Sequence, residues 1–192
     1  MPQPVPHHNL GERQEQSRLF FALTPDAATR EALHKASRAA VQLSDGWSVP
    51  APNFHITLAF LGYVGDAAAR QALNAAAEVQ APTFSFDLDE IGYWASSQVL
   101  WYGCSGTPSK LRELTLELRR RLTAKGLKFD PDKFVPHVTL ARWVRKLGNF
   151  GPAERIRWDV QEFTLVRSVT RAGGVDYTPL EHWSLGRQGV LI

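Results

Sequence analysis

The sequence predicts an α+β protein built as two related lobes of antiparallel sheet, with helices on their outer faces and a central cleft between them. Three observations predict it. His55-Ile-Thr57-Leu58 and His137-Val-Thr139-Leu140 write one four-residue pattern twice, 82 positions apart. Each copy sits in the same longer layout: Arg18-Leu-Phe-Phe-Ala-Leu23 runs into Thr24-Pro25, and Val99-Leu-Trp-Tyr-Gly-Cys104 runs into Thr107-Pro108. The spacing agrees, because Thr24 precedes His55 by 31 residues and Thr107 precedes His137 by 30. Strand, capped helix, loop and His-x-Thr strand therefore occur in order twice, too few copies for a solenoid.

Residues 1–16 are polar and proline-rich and are expected to form a flexible tail, with His7 and His8 in solvent; residues 17–192 form the single two-lobed domain. The first strand covers about 18–23. Thr24 is the expected cap and Pro25 the first residue of a helix reaching Val41, with Leu33, Ala36, Ala40 and Leu43 on one face. A strand at 55–61 follows. Asp66 is the expected cap of a second helix that buries Ala68, Ala72, Ala75 and Val79. At 83–91, Phe84, Phe86 and Leu88 alternate with Ser85, Asp87 and Asp89, the pattern of a half-buried strand. After a strand at 98–104, a third helix runs from Pro108 to Lys125 with Leu111, Leu114, Leu118 and Leu122 at spacings of three and four, and Gly126 stops it. Further strands are expected at 136–143, 162–169 and 176–186. Gly148–Pro152 and Arg171–Gly174 read as loops.

The bulk properties narrow the function. The chain has 192 residues, 44% of them hydrophobic, ordinary for a globular domain. No apolar run approaches the ~18 residues that span a bilayer, and the first residues lack the pattern of a secretory signal. A single cysteine, Cys104, excludes an internal disulfide and a multi-cysteine zinc site, and is expected to fill core. A cytoplasmic monomer with no membrane association fits these features. The net charge of +3 permits a polyanionic partner without demanding one. Arg119, Arg120 and Arg121 end the third helix, where cations complement its dipole in solvent. Arg142, Arg145 and Lys146, flanking the second motif, are better placed to meet phosphate.

Strand alternation gives the motifs their chemistry. His55, Thr57 and Ala59 are expected on one face and Ile56, Leu58 and Phe60 on the other; His137, Thr139 and Ala141 repeat this. If the lobes face each other, two His and two Thr converge. Imidazole titrates near ~6.5, so one neutral and one protonated ring form a base–acid pair. The Thr hydroxyls can donate to non-bridging phosphate oxygens. By simple alternation Arg142 falls on the opposite face from Thr139 and reaches the site only through a strand end or twist. No metal or cofactor is required: neither strand offers the third protein ligand of a catalytic zinc. His34 and His182 lack a partner Thr and read as structural or surface. Phe20, Trp47, Phe54, Tyr93 and Trp101 are read as core or rim, though bases could stack on them. Which histidine is acid and which base stays open.

On these residues the chain resembles the two-histidine (2H) phosphoesterase superfamily, whose signature is a pair of His-x-Thr/Ser-x motifs. It is most similar to the RNA 2′,3′-cyclic phosphodiesterases, historically called 2′-5′ RNA ligases. Asn53-Phe-His-Ile-Thr-Leu-Ala-Phe-Leu-Gly62, Pro136-His-Val-Thr-Leu-Ala-Arg142 and Tyr177-Thr-Pro-Leu-Glu-His-Trp183 carry the resemblance, with Arg18–Leu23, over residues 17–186. It implies a bilobal fold with a pseudo-twofold axis and hydrolysis of RNA 2′,3′-cyclic phosphate to a 2′-phosphomonoester. His55 would be the proton donor, His137 the proton acceptor, and Thr57, Thr139 and Arg142 the phosphate-binding residues. The same site could join a cyclic end to a 5′-hydroxyl. RNA ends or cyclic-phosphate nucleotides are the expected partners. A related enzyme for a small cyclic nucleotide or ADP-ribose cyclic phosphate, and a non-catalytic RNA-end binder, remain alternatives.

Overall fold

In the computed structural model, β1 (Ser17–Leu23) leads through α1 (Ala27–Gln42), a two-residue strand β2 (Trp47–Ser48) and a short 3-10 turn (Ala51–Asn53) to β3 (Ile56–Val64). The chain continues as α2 (Asp66–Ala77), β4 (Phe84–Leu88), β5 (Glu90–Trp94), β6 (Val99–Gly103), α3 (Ser109–Ala124) and β7 (His137–Arg142), then β8 (Ile156–Val160), β9 (Glu162–Arg171) and β10 (Gly174–Ser184). The structure describes residues 17–130, 133–149, 151–171 and 174–186; the expected tail at 1–16 lies outside them.

Two half-sheets make up the main sheet, in the order β10-β9-β1-β3-β7-β6-β5, with β2 added on β7. All pairings are antiparallel, and the halves join edge to edge at Ile56 and Val138, the residues directly after the two histidines. The layout β1-α1-β3 is thus repeated by β6-α3-β7, as the sequence spacing predicts. β4 and β8 form a separate two-stranded sheet.

Helix α3 buries Leu111, Leu114, Leu118 and Leu122 as expected, and one apolar core runs beneath both half-sheets. Gly126 ends it at φ +74°, with Leu127 N–H donating to Leu122 O at 3.0 Å and Gly126 N–H to Thr123 O at 2.9 Å, the bonding of a Schellman stop. On β1, Leu19, Phe21 and Leu23 face this core. Phe20 and Ala22 face the other way and pack with Val166, Phe60 and Tyr177 in a small second cluster.

Several expectations need correction. Thr24 does not cap α1: Asp26 does, its carboxylate accepting from the Thr29 N–H at 2.7 Å. A carboxylate suits the positive helix N-terminus better than a hydroxyl. Neither does Thr107 cap α3, whose N-cap is Pro108 without a side-chain bond. Asp66 is the first residue of α2, with Gly65 at the cap. Leu43 is 48% exposed, because α1 ends before its face returns to the core. The strand read at 83–91 is two strands in different sheets. Asp89 breaks it, its carboxylate held by the Ser105 N–H at 2.8 Å and hydroxyl at 3.0 Å. Strand β8 had no expected counterpart.

Candidate active site

His55 directly precedes β3 and His137 opens β7, so the seam between half-sheets places the imidazoles near one another. Each ring is fixed in the same way. His55 Nδ1 donates to Asn53 O at 2.7 Å, and His137 Nδ1 donates to Val135 O at 2.8 Å, both carbonyls two residues upstream. That leaves each Nε2 as the working nitrogen. Aromatic rings pack against both: Phe20 lies 4.8 Å and Tyr177 5.1 Å from His55, and Trp94 lies 4.5 Å from His137.

A β-bulge recurs at the same point in both motifs. Phe21 pairs with Ala59 and Ala22 with Thr57, which leaves Leu58 as an extra residue on β3. Leu100 pairs with Ala141 and Trp101 with Thr139, which leaves Leu140 as the extra residue on β7. Each bulge bends its strand and resets the alternation. Ala59 and Ala141 therefore turn into the core, wholly buried, instead of leaving room beside the Thr hydroxyls. Phe60 and Arg142 swing to the cleft face in their place. This corrects the expected placement of Arg142 and gives its cause: the bulge, three residues after His137, aims the guanidinium. Both bulge carbonyls are satisfied, Leu140 O by Val49 N–H at 2.7 Å and Leu58 O by Arg119 Nε at 3.1 Å. Arg119 is thus no simple helix-end cation. Its guanidinium sits 5.4 Å from the Phe129 ring and lines the cleft.

The five sequence-nominated residues line three contiguous hollows. His55, Thr139 and Arg142 share one of about 570 Å³. His55, Thr57 and Arg142 share a second with Arg18 and Phe60. Thr57 and Phe60 also border the third, which contains His137. Burial pushes the His55 imidazole down to about 4; the bond to Asn53 opposes this, and the charges of His137 and Arg142 add to it. Burial also lowers His137, against its bond to Val135 and with a contribution from Arg142. Both shifts favour the neutral imidazole over the imidazolium in the free cleft. Along the linked hollows the cleft presents two imidazoles, two hydroxyls and a guanidinium, groups whose chemistry suits an anion.

A family model described as the 2′-5′ RNA ligase superfamily matches residues 24–171. The chain belongs to that superfamily. Among its superfamily relatives, the RNA 2′,3′-cyclic phosphodiesterase of Escherichia coli (strain K12) is 34% identical over 173 residues, 89% of this chain and 98% of the relative. A protein of the same description from Thermus thermophilus is 32% identical, over 88% of this chain and 90% of its own length. The crystal structure of E. coli LigT complexed with 3′-AMP superposes with a TM-score of 0.82 at 33% identity, covering 90% of this chain and 100% of that one. The two-lobed architecture of this superfamily member is therefore shared with solved relatives.

Sequence reasoning gave no role to Phe60, Trp94, Trp143 or Tyr177, all of which border the cleft. A signal existed for Trp143, adjacent to Arg142; Trp94 and Tyr177 reach the site only through strand pairing. Cys104 lies partly buried, its thiol pushed up to about 12 by burial and by Asp89, so it stays protonated. His34 is exposed on α1, and His182 Nδ1 hydrogen-bonds the Thr164 hydroxyl at 3.0 Å with a Glu162 carboxylate oxygen 3.1 Å away. Among the described residues, no three His, Cys, Asp or Glu side chains gather as a metal-ligand set, and no helix is long and apolar enough to cross a membrane.

Proposed function

We propose that this protein hydrolyses RNA 2′,3′-cyclic phosphate ends to 2′-phosphomonoesters by His/His general acid–base catalysis. The single observation that carries the reading is the matched pair of imidazoles on one cleft, each locked through Nδ1 to its own upstream carbonyl. His137 Nε2 takes a proton from water as the water oxygen attacks phosphorus. The P–O3′ bond breaks in line, and His55 delivers its proton to the departing 3′ oxygen. Thr57 and Thr139 donate to the non-bridging oxygens, and Arg142 neutralises their charge. Solvent returns the proton from His137 to His55 between turnovers. With an RNA 5′-hydroxyl in place of water, the same steps form a 2′-5′ linkage. The naming of its relatives as RNA 2′,3′-cyclic phosphodiesterases supports the substrate class. Both imidazoles come from one chain, which supports a monomer.

Incubation with a 2′,3′-cyclic mononucleotide in excess EDTA is expected to yield the 2′-monophosphate at the rate seen without chelator. A 3′-monophosphate, or activity abolished by EDTA and restored by a divalent cation, overturns the proposal.

The histidine environments also set the pH response. Turnover needs one proton shared between two imidazoles. Burial disfavours imidazolium, so both free-enzyme values lie below the usual 6.5, His55 at about 4. The productive form, with the proton on His55 although that ring is the more depressed, is a minority of the singly protonated pair and is lost by deprotonation as pH rises above the higher value. A bell-shaped profile of kcat/KM is therefore expected, peaking between about 4 and 6.5 and falling roughly tenfold per pH unit above that. A maximum at pH 8 contradicts this arrangement.

A further inference from the structure

Trp47 and Trp143 stand at the mouth of the cleft, their rings edge to face with centroids 5.4 Å apart. They are 72% and 58% exposed, yet both line the hollow that contains His55, Thr139 and Arg142. The pair is held in place by design of the surrounding backbone. Trp47 pairs directly with Arg142 across β2 and β7. Trp143 has φ +56°, the left-handed region a bulky residue occupies only when its surroundings enforce it. Here Val144 N–H donates to Gln98 O at 3.0 Å, and Tyr93 hydroxyl donates to Val144 O at 2.6 Å. The Asp45 carboxylate accepts from the N–H groups of Arg145 and Lys146 at 2.7 and 2.9 Å. Gly46 lets the two loops close, since a Cβ there would meet Val144 Cγ2 at 2.4 Å.

Arg142 lines the same hollow as the two indoles, and the exposed cations Arg145 and Lys146 follow Trp143 within three residues. Aromatic faces set among cations suit single-stranded nucleic acid: bases stack on the rings and phosphates meet the charges. The indoles share one hollow with His55, Thr139 and Arg142, so a base held there belongs to a strand whose phosphate end can lie in the same cleft.

We propose that Trp47 and Trp143 stack the base of the nucleotide on the 5′ side of the cyclic-phosphate end, so that the enzyme favours RNA ends over mononucleotides. This rests on the function proposed above. The test compares two dinucleotides ending in a 2′,3′-cyclic phosphate, one intact and one abasic at its 5′ sugar, with a cyclic mononucleotide as the measure of basic turnover. The unaltered protein is expected to prefer the intact dinucleotide about tenfold in kcat/KM, the scale of one stacked base. In a Trp47→Ala, Trp143→Ala double variant that preference falls to within about twofold. Trp47→Phe with Trp143→Phe, which keeps the rings, restores most of it and guards against a folding defect in the alanine variant.

Equal treatment of both dinucleotides by the unaltered protein, with the mononucleotide turned over, overturns this inference and leaves the function standing. So does a preference that survives the double alanine change. An alanine variant that converts a dimer to a monomer in sedimentation, with the preference intact, assigns the indoles to self-association instead. Failure to turn over any cyclic phosphate removes the functional reading, and this inference with it.

Discussion

His55→Ala and His137→Ala are each expected to lower kcat by at least about 10²-fold, the lower end of the range for a positioned general acid or base. The two losses should not add. Once one partner is gone, proton transfer at the other no longer completes the displacement, so the double variant should lie near the worse single one. Each substitution leaves a carbonyl, Asn53 O or Val135 O, without its imidazole donor. Both lie at the cleft, where water can replace that bond, so a thermal melt close to the parent's is expected. Single-turnover rates on a 2′,3′-cyclic nucleotide are the measurement. A large loss for one histidine beside near-parent activity for the other would break the paired assignment.

Arg142→Ala is expected to cost about 10²- to 10³-fold in kcat/KM, comparable to removing a preorganised donor from developing negative charge. Arg142→Lys should recover only part of this, because an ammonium cannot reproduce the planar fork of the guanidinium. The bulge at Leu140 sharpens the prediction. The guanidinium is aimed by backbone, so a longer or shorter cation on the same Cα will not find the same point. Activity of Arg142→Ala within threefold of the parent would remove Arg142 from the phosphate site.

The repeat was legible because it is written in residue identity and spacing, and both survive without knowledge of the fold. Helix α3 and its stop were legible for the same reason: leucine periodicity and one glycine decide them. The bulges were not. Alternation assigns Ala59 to the cleft and Arg142 away from it, and a single extra residue in each strand reverses both. Nothing local to Thr-Leu-Ala marks where a strand gains a residue, since the bulge is defined by the partner strand. The caps failed differently. Thr-Pro offers plausible helix-start chemistry, but Asp26 two residues later offers a better acceptor. Strand β8 carries its own signal, since Ile156, Trp158 and Val160 alternate with Arg157 and Asp159. Phe20, Trp94 and Tyr177 meet the histidines through pairings that span the chain, beyond any short window.

A cyclic phosphate presents two ester bonds of nearly equal strength. A site of true twofold symmetry would open either, releasing a mixture of isomers. The twin bulges bring equivalent positions to the cleft, but one half delivers a phenyl ring, Phe60, where the other delivers a cation, Arg142. On the proposed reaction that mismatch would give the pocket handedness, because Arg142 reaches the cleft from its own strand, whereas on the other half the cation is Arg18, stacked 4.9 Å over the Phe60 ring. Regiochemistry would then trace to a position where the two copies present different side chains, Phe60 and Arg142.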